Sequence, residues 1–212
     1  MRRTRALGIA AAAVTIGVTG VAIVIARRAD DQSDAARFIE MLNLEAGSTV
    51  AEIGAGDGEI TIIVAKHVGP TGRVYATELG NDRVNKLKEA LTKAQAANVT
   101  VLEAHAMRSN LPDGCCDAIF MRSVYHHFED PAAMNKSFLD ALRAGGRLAV
   151  MDFAPPPGGE AANPADRDQD GHHGVTSATV VEELTRAGFE RVQAESESGN
   201  RRGFLVVVRK PT

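Results

Sequence analysis

From residue 34 onward the apolar positions of the chain change period in a regular way. "DAARFIEMLNLEAG" sets Phe38, Met41, Leu42 and Leu44 on one side of a helix, which Gly47 ends. "TVAEIG" then reads as a strand and "AGDGEITIIVAKHV" as a helix. "RVYATEL" predicts the second strand, and "NDRVNKLKEALTKAQAA" a helix with Val84, Leu87 and Leu91 facing inward. "VTVLEA" and "CDAIFMRSV" are the third and fourth strands, the fourth ending near Arg122. "PAAMNKSFLDALR" is a helix with Pro131 in its first turn, where a missing N–H costs nothing. "GRLAVMDF" is the fifth strand. A Pro- and Gly-rich irregular stretch covers Ala154 to Gly174. "SATVVEELTRAGF" follows as a helix that Thr176 or Ser177 caps. "RVQAESES" and "RGFLVVVRK" close the chain as an antiparallel pair. Strands alternating with helices predict an α/β fold, a doubly wound sheet.

The first 28 residues follow another pattern. Arg2, Arg3 and Arg5 precede an uncharged run from Ala6 to Ala26, and Arg27 and Arg28 close it. As a helix those 21 residues span about 31 Å, the thickness of a bilayer core. A membrane anchor, an export signal and a buried helix all fit such a run. Basic clusters at both ends and the lack of a polar face favour the first two. Val24-Ile25-Ala26 offers a cut site, but the two arginines just after it favour retention. The expected organisation is an anchor or signal over 1–28, a linker over 29–33 and one domain over 34–212.

Charge narrows the partners of that domain. Beyond residue 28 there are 19 basic and 27 acidic residues, which is no footprint for a nucleic-acid backbone. The only cysteines, Cys115 and Cys116, are adjacent and make no disulfide framework; packing is their expected role.

"EIGAGDG" lies where the first strand meets the first helix of the alternation. Gly54, Gly56 and Gly58 let the backbone turn sharply and approach a ligand. Glu78 ends the second strand 20 residues past Gly58, where an acid accepts both hydroxyls of a ribose. A dinucleotide fingerprint needs its third glycine at position 59, which is Glu59 here. Glu52 before the loop suits a cationic or zwitterionic ligand better than a pyrophosphate.

With these residues in place, the chain from about Asp34 onward resembles the class I S-adenosylmethionine-dependent methyltransferases of the small type 11/25-like kind. "VAEIGAGDG", "VYATEL", "LPDGCCDAIFMRSVYHHFEDP", "LRAGGRLAVMDF" and "HHGVTSATVVEELTRAGFE" resemble the family's successive segments, in order. The resemblance implies a Rossmann-like, seven-stranded doubly wound sheet with its last strand antiparallel. It implies S-adenosyl-L-methionine as cofactor, held by Glu52, Gly54, Ala55, Gly56, Gly58, Glu78, Leu79, Ala106, Met107 and Arg122, and a small-molecule methyl acceptor. One departure stands out: "AHAMRSN" offers no carboxylate where many relatives hold the adenine amino group, which leaves backbone groups of Ala106 or Met107 for that contact.

Ligands of such sheets bind beyond the carboxyl ends of the strands, which places Ser123, Tyr125 and His126 of "SVYHHFED" beside the reacting methyl group. His126 is the candidate base and Tyr125 a hydrogen-bonding or π-face partner. In an extended segment adjacent side chains oppose each other, so His127 is expected to pack or cap instead. No metal is expected, because neighbouring histidines lacking a third ligand make no tetrahedral site. The resemblance lays the segment of His172 and His173 over the site, with His172 a tentative catalytic partner. "DRDQDG", Asp166 to Gly171, opens like a calcium loop but has Ser177 where the closing Glu belongs; a solvated acidic loop is the expectation. A non-catalytic cofactor-binding module and a nicotinamide oxidoreductase are the competing functions. The basic clusters favour a domain outside the membrane and the cofactor one inside, so the side stays open.

Overall fold

Residue period decides which face of the central sheet each side chain joins. Along β4 (Cys116–Arg122), Ala118 and Phe120 point to one layer, while Ile119 and Met121 point to the other. All four are fully buried, as expected for a strand covered on both faces. The computed structural model describes residues 27–196 and 203–212. The proposed span, residues 6–26, lies outside the described residues. Among the described residues, no helix is long and apolar enough to cross a membrane.

Seven strands form the sheet: β1 (Thr49–Ile53), β2 (Arg73–Glu78), β3 (Val99–Glu103), β4, β5 (Leu142–Phe153), β6 (Glu190–Ser196) and β7 (Gly203–Arg209). Their order is β3-β2-β1-β4-β5-β7-β6. The first five run parallel, and β7 pairs antiparallel with both β5 and β6. The sheet, its doubly wound character and its antiparallel last strand all match the sequence expectation. The order reverses between β1 and β4, so a crevice opens there, beyond their carboxyl ends.

One helical layer holds α1 (residues 27–41) and α2 (Glu59–Val68), with Phe38, Leu42, Ile60 and Val64 packed on Val50, Phe120 and Val207. On the same sheet, α3 (Asn81–Lys93) buries Val84, Leu87 and Leu91, the three residues its period selects. The opposite layer holds α4 (Pro131–Ala141) and α5 (Ser177–Arg186), whose Met134, Phe138, Val180 and Leu184 pack on Ile119, Met121 and Val206. Asp130 caps α4 by accepting the Ala133 N–H, and Thr176 caps α5 by accepting that of Thr179.

Two local readings need correction. Residues 29–33, expected as a linker, are helical and belong to α1. Their polarity marks a helix side facing charged groups: Asp31 and Asp34, three residues apart, both bind the Arg122 guanidinium, at 2.7 and 2.8 Å. Cys115 and Cys116 are joined by a disulfide between neighbours, with Cys116 fully buried at the start of β4. That bond closes a ring within one turn and leaves the absence of a cross-linking framework unchanged.

Candidate active site

The glycine loop after β1 is shaped by what each missing side chain would meet. A Cβ on Gly54 would come within 2.5 Å of Val124, and one on Gly58 within 2.8 Å of Leu87. These two glycines let the loop pack against the end of β4 and against α3. Gly56 differs: its φ is +57° and a Cβ there would meet nothing within 4 Å, so its bare face is turned to open space. Glu78, buried at the end of β2, accepts the Gly56 N–H with Oε1 and the Leu79 N–H with Oε2, at 2.8 and 2.9 Å. Each of its carboxylate oxygens keeps a further lone pair for a ligand hydroxyl.

A cleft of about 1080 Å³ opens on this loop. Its wall includes Glu52, Gly54, Ala55 and Gly56, then Arg122, Ser123, Asp152 and Phe153 from the ends of β4 and β5. The polar side of α1 closes it through Asp31 and Asp34. A second hollow of about 610 Å³ lies at the opposite, amino-terminal edge of β2 and β3, away from the glycine loop. Leu79 and Met107, about half exposed, are apolar surfaces at the mouths of β2 and β3, where an adenine ring was expected. Ala106 lies in the same turn. Ser123 holds a left-handed backbone (φ 55°), with its N–H donating to the Met151 carbonyl at 2.8 Å. A non-glycine residue there is strained, a trait that concentrates at ligand-binding turns.

Glu52 is buried behind the loop, and its carboxyl is pushed up to about 8, chiefly by desolvation. The Thr61 hydroxyl, which donates to it, and the Arg122 charge oppose that rise; Glu59 and Glu78 add to it. A buried acid held protonated by desolvation beside a glycine loop is ionised most readily by a ligand that brings positive charge.

The stretch Ser123 to Asp130 departs from its extended reading. Tyr125–His127 is a 3₁₀ turn, so successive side chains diverge by about a third of a turn rather than opposing each other. Tyr125, expected at the acceptor, is instead fully buried beneath the site. Its hydroxyl donates to Glu183 at 3.0 Å and accepts from Asn135 at 2.7 Å. Burial and the Glu183 carboxylate hold that hydroxyl well above the usual tyrosine range. Its ring packs against Phe128, so it serves the core.

His126 is 2% exposed and donates from Nδ1 to Asp152 Oδ1 at 2.8 Å. Asp152, whose side chain is wholly buried, also accepts the His126 and Phe153 backbone N–H groups. The Nε2 of His126 meets Nε2 of His173 at 3.1 Å. The histidine joining His126 is therefore His173; the tentative His172 instead bonds the Gly159 carbonyl at 2.8 Å. His127, expected to pack, is half exposed and places Nδ1 3.3 Å from Asp168. Partial burial, then the neighbouring His126, hold its imidazole below the usual value against the pull of Asp168.

Sequence reasoning missed Asp152, although an acid closing the buried run of β5 was a legible signal. It also missed Asp168, which was read only as part of a calcium-like run. The carboxylates of that run do not converge. Asp166 binds Asn163 and Gln169, while Asp168 turns to the histidines.

Residues 51–150 match the family model described as a methyltransferase domain. The chain is 32% identical over 171 residues to 27-O-demethylrifamycin SV methyltransferase of Amycolatopsis mediterranei, covering 76% of this chain and 61% of that protein. It is 35% identical over 124 residues to the ubiquinone/menaquinone biosynthesis C-methyltransferase UbiE of Ectopseudomonas mendocina, covering 56% of this chain and 46% of that one. The chain thus spans about half to three-fifths of the length of these curated relatives. Among solved structures, that of a SAM dependent methyltransferase from Aquifex aeolicus superposes with a TM-score of 0.69 at 26% identity, covering 83% of this chain and 89% of that one. The glycine loop, Glu78 and strands β1 to β4 all lie in or beside the matched segment, so residues 51–150 are similar to a methyltransferase domain in sequence as well as in fold.

Proposed function

We propose that this chain transfers a methyl group from S-adenosyl-L-methionine to a small-molecule acceptor bound in the cleft between the ends of β1, β4 and β5. The observation that carries this reading is Glu78, a buried carboxylate fastened to the Gly56 and Leu79 N–H groups with lone pairs to spare. The residues fit the cofactor. Glu78 accepts the ribose hydroxyls, bare Gly56 admits close approach, Leu79 and Met107 flank the base, and Glu52 answers the ligand's positive charge. When bound, S-adenosylmethionine supplies an electrophilic methyl group on a sulfonium.

The chain's own work is to hold the acceptor in line with that methyl group and to keep water away. Ser123, Asp152 and Phe153 form the acceptor side. His126 fixes the Asp152 carboxylate from behind and stiffens this wall. The two curated relatives are named for O- and C-methylation, so oxygen and carbon acceptors are the first to test.

Calorimetric titration with S-adenosylmethionine and with NAD, followed by assay of S-adenosylhomocysteine formed with phenolic and hydroquinone acceptors, tests the proposal. Binding of the first cofactor alone, with product formation, is the expected outcome. Tight NAD binding would favour an oxidoreductase. A second reading, a binding module without turnover, draws on the burial of Tyr125 and on both ring nitrogens of His126 being engaged. Cofactor binding without product for any acceptor would favour it. His126→Ala is expected to lower turnover while leaving cofactor affinity in place, and unchanged turnover would make that histidine purely structural.

The uncharged run of residues 6–26 between arginine clusters supports, from sequence alone, a membrane-attached placement of the domain. Fractionation with protease protection tests both the attachment and its side.

A further inference from the structure

Just beyond the end of β4, two imidazoles and one carboxylate converge, with His127 beside the carboxylate. His126 Nε2 lies 3.1 Å from His173 Nε2, and His173 Nε2 lies 3.5 Å from Asp168 Oδ1. His127 Nδ1 is 3.3 Å from the same Asp168 oxygen. The ligand atoms of His126, Asp168 and His173 all fall within 4.8 Å of one another. Donors held about 2.0–2.2 Å from a tetrahedral zinc ion stand roughly 3.3–3.5 Å apart. Two of the three separations, 3.1 and 3.5 Å, are close to those edges, and the third stays within 4.8 Å.

The protonation pattern points the same way. A carboxylate only accepts, so the 2.8 Å contact to Asp152 puts a proton on His126 Nδ1, and the neutral ring then carries its lone pair on Nε2. The His126 side chain is almost wholly buried, and its Nε2 faces a second imidazole nitrogen. A histidine backed by a carboxylate is the arrangement that fixes tautomer and ring orientation in metal sites. The loop bringing Asp168 and His173 is itself fastened. Buried Arg167 bonds the Glu183 carboxylate, the Gly174 N–H bonds the Arg167 carbonyl, and the Val175 N–H bonds the Phe153 carbonyl. The donors are thus set in place by groups that do not themselves take part.

We propose that His126, Asp168 and His173 bind one divalent transition-metal ion of the zinc class. Two imidazoles and one carboxylate select such an ion over calcium or magnesium, which take oxygen ligands. Three protein ligands leave a position for water or another small ligand. His173 of the second histidine pair and Asp168 of the acidic run, which methyl transfer does not use, find a role here. The proposal stands apart from the methyltransferase reading, since its readout is metal binding.

The test uses the full chain stripped with a chelator and titrated calorimetrically with Zn²⁺. Co²⁺ serves as the spectroscopic probe. One ion per chain is expected, with the intense visible absorption of a four- or five-coordinate cobalt site. His173→Ala and Asp168→Asn should each weaken zinc at least about 100-fold, more than loss of an outer-sphere partner does. His172→Ala, outside the cluster, should leave affinity unchanged. Asp168 and His173 are more than half exposed, so these variants should fold, and thermal melting confirms it. Failure of the full chain to bind Zn²⁺, or binding that survives both His173→Ala and Asp168→Asn, overturns the proposal.

Discussion

At the residue scale, Glu52 and Gly56 make separable predictions. The Glu52 carboxyl is raised from 4.5 to about 8, so between those values the folded chain keeps a proton that the unfolded chain has released. Stability without ligand therefore falls as pH rises through that window, and Glu52→Gln should flatten this part of the profile. The groups that set the value are Thr61 and Glu59 from α2, Arg122 from β4 and Glu78 from β2. A cationic ligand favours the ionised form, so cofactor binding at pH 7 should release close to one proton. Calorimetry in buffers of different ionisation enthalpy measures this, and an absence of proton release would separate Glu52 from the ligand. Gly56→Val places its Cβ where no protein atom lies within 4 Å, so the chain should still fold, at about 1–2 kcal/mol of backbone strain. Cofactor binding should be lost, and retained affinity would move the site elsewhere. Both residues were legible because a loop motif after a buried strand ties residue type to backbone need. For Asp152 only its place at the end of a buried strand was legible, and for Asp168 only its place in an acidic run, because the turn that holds His126 and His127 comes from elsewhere in the chain.

At the element scale, the strands and the helices α2 to α5 followed from their hydrophobic periods, since each buries one face or both against the sheet. The two misread elements are those whose form is set by tertiary partners. The amino-terminal part of α1 looked like a linker because its inward side carries Asp31 and Asp34, and only Arg122 makes that side interior. The turn Tyr125–His127 looked extended because three residues are too few to show a period. Its form is held by a buried network in which Asn135, Tyr125, Glu183 and Arg167 link α4, this turn, α5 and the loop after β5. Tyr125→Phe strips a hydrogen-bond partner from both Asn135 and Glu183. The Asn135 Oδ1 already has no partner among the described residues. The expected cost is about 1–3 kcal/mol of folding stability. Urea unfolding should show this while cofactor affinity stays unchanged, because the hydroxyl lies beneath the site and outside the cleft. Lost cofactor affinity with unaltered stability would return Tyr125 to the acceptor side.

At the scale of the whole molecule, the reversal of strand order between β1 and β4 makes the crevice, and α1 turns it into a cleft by closing one wall. A ligand held there binds the folded chain alone and stabilises it by mass action. At a concentration 100 times its dissociation constant that is about 2.7 kcal/mol. For a chain of this size each kcal/mol moves the melting temperature by roughly 2–4 °C, so S-adenosylmethionine should raise it by about 5–11 °C. NAD should not, because Glu59 stands where a dinucleotide loop needs glycine. Arg122→Ala probes the cleft wall in the same measurement. Its pairs with Asp31 and Asp34 are partly exposed, so their loss should cost the ligand-free chain little, on the order of 1 kcal/mol. Freed from β4, the amino-terminal half of α1 would no longer close the cleft. The shift given by a fixed cofactor concentration should then shrink, although the glycine loop and Glu78 are untouched. An undiminished shift would place the binding determinants entirely on the sheet edge and leave α1 a structural cover.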